Sequence, residues 1–469
     1  MTYFRKRLAV ALCSVAIGTC CVTLSNLTNA AELMDRAVLP AETYAAGPTS
    51  GQFTGGGNGF ATPFVGKQPV QGFSAILPGP KKGTYFVMMD NGFGTKASSP
   101  DLLLRVFAVK PDFKTGAVLP VDRDTGKVLS SFTSISYFTL SDPKKRLPFA
   151  IVADGENYPG NAISVTGPIP VDAAIKSGRL LTGADFDIES IRRTTDGTFW
   201  FGDEFGPFLI HTDKDGRVLD APVPLPNVHS FATAVSGDNI NPYIQSPSNP
   251  MLASPQNANL PDSGGFEGMA LNTSGTRLYA LLEKAINGDA QRNRRWIHEF
   301  NPFTKKYTGN SFAYPVESAG NSIGDFTALS DDEYVVIERD GGQGDASNPN
   351  FPSPAKFKKI YRVNLKEADA DGNLVKHEVA DLLNIYDPKD VVGNGKENTV
   401  FTFPFTTIED VLVLDNNTLL VVNDNNFPFS SGREFNAADN NEFIVIHTAP
   451  LVSQEKSCES KDRHCDGRE

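Results

Sequence analysis

The 469-residue chain predicts an all-β fold: a β-propeller of five to six blades, each of four antiparallel strands, around an acidic central channel. Two observations predict it. Hairpins of one design recur along the chain, and carboxylates stand at matched positions in them. A composition of 40% hydrophobic and 21% charged residues, with 41 Gly, 32 Pro and 32 Phe, suits a large core built of short strands and many turns. A β-sandwich would also give short strands and turns. It gives no reason for the matched acids.

The hairpins come in chain order. Gly72–Gly94 is the weakest. Asp185–Gly206, Gly264–Lys284, Ser322–Gly342 and Thr407–Phe427 are clear. Each has a short apolar strand, a turn rich in Asp, Asn, Ser or Gly, and a second apolar strand. Further strands follow most of them: LLLRVFAVKP, RRWIHEFNP, KKIYRVNL and EFIVIHTAP. Self-similar four-strand units of this kind are the signature of a propeller. Residues 36–45 are strand-like and complete the last unit, closing the ring. The stretches 113–182 and 221–263 are long and irregular, and hold either a divergent unit or loops on one face.

Aligned by their first strands, the units carry Glu189, Glu267, Asp325 and Glu409, with Ser74 in the weak one. The returning strands end on Asp203-Glu204, Glu283, Glu338 and Asp424, with Asp90 in the weak one. An out-and-back hairpin brings both acids to the same end of its sheet, and the innermost strands line the channel. The acids are therefore expected as a ring at one channel mouth. Two like charges 4 Å apart repel by about 4 kcal/mol at an effective dielectric near 20, so such a ring must be partly protonated or hold cations. An all-oxygen set suits a hard ion, above all Ca²⁺. The expected ligands are Glu189, Asp203, Glu204, Glu267, Glu283, Asp325, Glu338, Glu409 and Asp424. Lys284, Arg339 and Arg433 are the expected anchors for an anionic substrate. Arg292, Arg294 and Arg295 are expected on an exposed strand edge.

The ends of the chain read differently from its middle. Arg5-Lys6-Arg7, an apolar run from Leu8 to Leu24, and Thr28-Asn29-Ala30 form a secretion signal with its cleavage site. The expected organisation is a signal peptide at 1–30, a propeller domain at 31–450 and a polar tail at 451–469. Cleavage removes three cations and no acids, taking the net charge from −12 to about −15. That charge argues against nucleic acid or an anionic membrane as partner. No later segment is long and apolar enough to span a bilayer. The expected product is a secreted or periplasmic monomer. Cys458 and Cys465, both in the tail, would form a small disulfide loop in an oxidising compartment.

Two motifs are set aside. GNSIG around Ser322 matches a nucleophile elbow, but that elbow must follow a strand and open a helix, and here a strand follows. Glu367–Glu378 mimics a calcium loop, but its flanks read as strands rather than helices, which makes it a turn.

The blocks DFDIESIRRTTDGTFWFGDEFGPFLI, GGFEGMALNTSGTRLYALLEK and IEDVLVLDNNTLLVVNDNNFPF resemble the phytase-like esterase family, named for the esterase-like activity of phytase. The likeness runs over residues 65 to 448. It implies a secreted or periplasmic propeller associated with phosphate-ester hydrolysis. The more distant β-propeller phytases use an acidic, calcium-filled channel. The resemblance carries over no catalytic residue, so the site assignments rest on spacing. The leading expectation is a calcium-dependent phosphoesterase acting on a small phosphate ester. The alternatives are a metal-dependent lactonase or carboxylesterase, and a calcium-stabilised propeller that binds without catalysis.

Overall fold

A computed structural model describes residues 31–163, 165–231 and 241–452. The expected signal peptide at 1–30 and both tail cysteines lie outside the described residues.

Antiparallel four-stranded sheets dominate. The first runs Phe73–Pro78, Tyr85–Met89, Arg105–Asp112 and Ala117–Pro120. The second runs Ile188–Arg193, Phe199–Asp203, Phe208–Thr212 and Val223–Pro224. The third is Phe266–Leu271, Leu278–Leu282, Arg294–Asn301 and Lys306–Pro315; the fourth is Ser322–Ala328, Glu333–Arg339, Lys358–Ala368 and Leu374–Asp381. The fifth joins Thr407–Asp415, Thr418–Asp424 and Asn441–His447 to a strand from the start of the described chain, Glu32–Leu39; that strand also meets Ala117–Pro120 in parallel at Val38 and Ala117, so the first and fifth groups are parts of one continuous eleven-stranded sheet. The first strand of each sheet packs against the first strand of the next, and that of the fifth returns to the first. This cycle of innermost strands is the propeller-like feature of the fold.

Closure follows the expected route with a shift. Glu32–Leu39, rather than 36–45, pairs antiparallel with Asn441–His447, from Leu33 opposite Ile446 to Leu39 opposite Asn441. Tyr44–Ala46 pairs instead with Lys67–Pro69. A charged clamp holds the closing strand: Arg36 Nη2 lies 2.8 Å from Glu442 Oε1, and Arg433 Nε lies 2.9 Å from the same oxygen.

The strands alternate toward apolar layers between neighbouring sheets. Phe186, Phe201, Phe208, Ile188 and Ile210 fill one such layer, and Phe326, Tyr334, Leu281 and Ile297 another. The irregular stretches 113–182 and 221–263 add short strands, 3-10 turns and a single α-helical turn at Ala173–Gly178. Ala117–Pro120 and Val223–Pro224 are the outer strands of the first and second sheets, and Tyr137–Thr139 pairs with Arg105–Asp112.

The motifs set aside behave as turns and strands. Asp369 accepts bonds from the backbone N–H groups of Asp371 and Asn373, both at 2.9 Å, making a tight turn between the outer strands of the fourth sheet. Ser322 opens a strand, with no helix after it. The expectation for Arg295 is corrected. Its side chain is buried, and it donates to the carbonyls of Arg292, Ala319 and Asn321. Carbonyl oxygens satisfy its charge where an exposed edge had been expected.

Candidate functional site

Every first strand carries a β-bulge at the same place, and that of the fifth sheet has a second one between Val413 and Asp415. The unpaired residue of the shared bulge is Ser74, Glu189, Glu267, Gly324 or Glu409 in sheets one to five. A bulge leaves one residue out of the ladder and re-aims its side chain. The returning strand meets the position two residues before the bulge through Asp90, Glu204, Glu283, Arg339 or Asp424. This register decides which side chain reaches the pocket.

The pocket is lined by Asp90, Asp187, Glu189, Glu204, Glu267, Glu283, Glu409 and Asp424, with Lys284 and Arg339 as its cations. Asn91, Asn426, Thr407 and Ser263 add neutral polar groups. Segments more than 300 residues apart therefore converge: Asp90 from the first sheet and Asp424 from the fifth share one cavity.

Of the twelve side chains expected here, Glu189, Glu204, Glu267, Glu283, Glu409, Asp424, Lys284 and Arg339 meet in the pocket, and four do not. Asp203 precedes the pocket position by one residue. Its carboxylate accepts the Asp187 and Gly206 N–H groups at 2.9 and 2.7 Å, bracing the loop. Glu338 likewise precedes Arg339. It is held by the Glu317 N–H, the Asn321 amide and Lys376 at 2.6, 2.8 and 2.7 Å. Asp325 follows the bulge residue Gly324, and pairs with Arg192 at 3.1 Å and with the Val411 N–H at 2.9 Å. Arg433 is spent on Glu442 and lies over the rings of Phe401 and Phe405. In the first three cases a one-residue offset turns the side chain to the other side of the strand.

Asp187, absent from the expected ligands, is a pocket acid. It stands two residues before the bulge of the second sheet, opposite Glu204. Asp90 is another, named in the hairpin alignment but not among the ligands. Gly72 makes room for it: at φ +63°, a Cβ there would meet Asp90 Oδ1 at 2.5 Å.

Arg339 organises one half of the pocket. Its Nη2 lies 2.6 Å from Glu409 Oε1, 3.2 Å from Glu267 Oε1 and 3.6 Å from Glu283 Oε1. Ser74 Oγ donates to the other Glu409 oxygen at 3.2 Å. Lys284 Nζ is 3.3 Å from Glu283 Oε2. Among the described residues, the other half has no cation within ion-pair distance. Asp187, Glu189 and Glu204 bring one oxygen each to within 4.8 Å of one another. Asp187 Oδ1, Glu204 Oε1 and Asp90 Oδ1 are buried without a hydrogen-bond partner.

Burial is the main reason the carboxyls of Asp90, Glu189, Glu204, Glu267 and Asp424 titrate well above their ordinary range, and neighbouring acids push the same way. Burial also raises Asp187 and Glu409, the latter against the pull of Arg339. The Arg339 guanidinium is raised despite its burial, because Glu409, Glu267 and Glu283 surround it.

The donor chemistry fits a hard cation. Two oxygens bound to one Ca²⁺ at about 2.4 Å each can stand at most about 4.8 Å apart, and Asp187, Glu189 and Glu204 each offer an oxygen inside that limit. Unpartnered buried carboxylate oxygens are costly unless something positive or a proton reaches them.

The family model for phytase-like proteins, described as "Esterase-like activity of phytase", matches residues 68–427. The chain belongs to this family. The five shared bulges and all the pocket acids fall inside the matched span. A protein of Arthroderma benhamiae named "Uncharacterized secreted protein" is 26% identical over 217 residues, spanning 41% of each chain. Among solved structures, a luciferin-regenerating enzyme overlaps 80% of this chain and 78% of its own, at 9% identity and a TM-score of 0.32. The GH43 endo-arabinanase from Bacillus licheniformis overlaps 80% and 93%, at 11% identity and a TM-score of 0.32. At these TM-scores neither overlap bears on fold or activity. Among the described residues no helix is long and apolar enough to cross a membrane.

Proposed function

We propose that this protein is an extracytoplasmic, calcium-dependent phosphoesterase, built as a five-bladed propeller over residues 31–450 behind a cleaved leader at 1–30. The tail from 451 is read as an appendage outside the domain. The observation that carries the reading is the repeated bulge, which collects eight carboxylates and two cations around one pocket. Family membership supports ester hydrolysis. The secreted relative supports export.

Asp187, Glu189 and Glu204 would hold the ion, with Asp90 beside them. A bound Ca²⁺ supplies Lewis-acid polarisation of a phosphoryl oxygen. The chain's own groups do the rest. Lys284 and Arg339 steady the anionic oxygens of the phosphate, acting on charge that grows in the transition state. Glu267 and Glu409 fix the guanidinium of Arg339 in place. Burial raises the pKa of the Glu267 carboxyl, which favours its protonated form and makes it the candidate donor to the departing alcohol oxygen. The substrate is a small phosphate ester, and a monomer suffices, because one chain supplies every residue named.

The test is turnover of a phosphomonoester before and after exhaustive chelation. Loss on chelation and recovery on adding Ca²⁺ are expected. Full activity in the chelated protein would refute the mechanism. A parallel panel of lactones and acyl esters separates the carboxylesterase alternative. Calcium-dependent stability without turnover of any ester would favour the binding propeller.

A further inference from the structure

A second cavity, of ≈610 Å³, stands apart from the acidic pocket. The two share no lining residue. The backbone packs tightly between them: a Cβ on Gly183 would meet the Asn91 carbonyl oxygen at 2.0 Å, so only glycine allows this approach. Whatever the cavity takes is therefore recognised by its own lining.

Its size is that of a small-molecule site. Phe149, Ile151, Val152, Ala184 and Pro250 give it an apolar wall. That wall is braced from behind. Phe149 lies 5.7 Å from the Phe186 ring and 6.2 Å from that of Phe208. The Val152 N–H donates to Asp185 at 2.8 Å, and the Ile151 N–H donates to Asp154 at 3.1 Å.

The charged groups on the lining are unequal. Asp185 also accepts the Thr182 N–H at 2.8 Å and its hydroxyl at 3.0 Å, and Asp154 is paired with Arg179. Both acids are thus engaged. Lys96 is the cation of the lining. Its Nζ donates to the Ser248 carbonyl at 3.1 Å and lies 5.2 Å from the centre of the Phe205 ring. An ammonium carries three N–H donors, so donor capacity is left over. Among the described residues no carboxylate stands at ion-pair distance from it. Asp203, Asp185 and Asp262 attract it from farther away, and all three have other donors. Asp203 accepts the Asp187 and Gly206 N–H groups, and Asp262 accepts the Ser248 hydroxyl at 2.9 Å.

We propose that this cavity binds a small apolar monocarboxylate, aromatic or aliphatic, whose carboxylate pairs with Lys96 and whose carbon body lies along the wall from Phe149 to Val152. A partly buried ammonium without an acid partner gains most from an anion. One charge suffices, because the lining offers no second cation to a polyanion. The carbon walls favour a body without hydroxyls, since each hydroxyl would be buried unpartnered. The site is independent of the phosphoesterase reading, which neither supports nor endangers it.

The probes are 1-naphthoate and its neutral analogue 1-naphthylmethanol, titrated calorimetrically into the chelated protein at pH 7, so that no ion in the acidic pocket draws the carboxylate. Naphthoate should bind saturably and about tenfold or more tightly than the alcohol. Lys96→Met keeps the carbon stem and removes the charge. It should weaken naphthoate about tenfold and leave the alcohol within about threefold. Ala150→Trp and Ala97→Trp, both at exposed positions on the lining, narrow the cavity, and at least one folded variant should weaken both probes about tenfold. If Lys96→Met fails to fold, the ranking of the two probes and the tryptophan variants still decide. No saturable binding of naphthoate at millimolar concentration overturns the site. Equal affinity for the two probes, or naphthoate binding unchanged by Lys96→Met, overturns the assignment of a carboxylate ligand. Affinity unchanged in both folded tryptophan variants overturns the cavity as the place of binding.

Discussion

Arg339 and Glu409 meet at 2.6 Å inside the pocket, from different sheets and 70 residues apart in sequence. Arg339 fills the return position that the other four sheets give to an acid. One cation therefore faces three carboxylates, and the pocket divides into a neutralised half and an uncompensated half.

Removing that cation should expose the repulsion it offsets. Arg339→Met should destabilise the metal-free protein by about 3 kcal/mol near pH 8, the usual cost of stripping one partner from a buried ion pair. The loss should be smaller at pH 5, because burial raises Glu267 and Glu409 and so favours their uptake of protons as the pH falls. Urea denaturation of both proteins at the two pH values checks this.

The closing clamp gives a stability prediction away from the pocket. Glu442 accepts both Arg36 and Arg433 while fully buried. Glu442→Ala should cost about 3 kcal/mol, because it strands two cations and frees the strand that closes the fifth sheet. Arg433→Ala should lower the melting temperature and leave KM for a phosphate ester unchanged, reflecting its place in the clamp rather than at a substrate.

Gly324 occupies the one bulge without an outward side chain. A Cβ there would meet the Ile408 carbonyl oxygen at 2.0 Å. Gly324→Ala should therefore cost about 3 kcal/mol or more through backbone displacement, although alanine is the smallest possible change. A melting curve within a degree or two of wild type would contradict the close approach of these two strands.

The pH dependence of the metal-free protein has a definite sign. Burial pushes Asp203 up to about 7 and Asp185 up to about 6, from an unfolded value near 3.9. Between those limits the folded state binds more protons than the unfolded one. Stability is thus fully present below about pH 4 for these groups, and is lost as pH rises toward 7. The raised pocket acids act in the same direction. Chemical denaturation should show the metal-free protein weaker at pH 8 than at pH 5.5, and Ca²⁺ should recover most of the difference.

The hairpin repeat, the closing strand and eight of the twelve expected site residues were legible because each follows from strand alternation and from acids at a common spacing. The misplacements of Asp203, Asp325 and Glu338 share one physical cause. A bulge shifts the face of every residue beyond it, and nothing in the spacing of Asp325 or Glu338 tells whether it stands on the bulge or one residue from it. Gly324 and Arg339 take the pocket positions instead. Asp187 was missed because, although inside the Asp185–Gly206 hairpin, it stands one residue before the strand Ile188–Arg193 and so outside the aligned strand positions. Arg433 misled because proximity to Asp424 along the chain is not proximity in space: its partner, Glu442, belongs to the third strand of the sheet. The second cavity was illegible for another reason. Residues 149–160 have no periodicity, and their wall exists only once Asp185 ties Val152 to the second sheet.

The central claim is that the pocket tolerates its carboxylates by holding a divalent ion. Calorimetric titration of Ca²⁺ into the chelated protein tests it most directly, with Asp187→Asn and Glu204→Gln alongside. Saturable binding in wild type, weakened at least tenfold in both variants while their folds are kept, is the predicted result. No heat of binding and no rise in melting temperature at millimolar Ca²⁺ would contradict it.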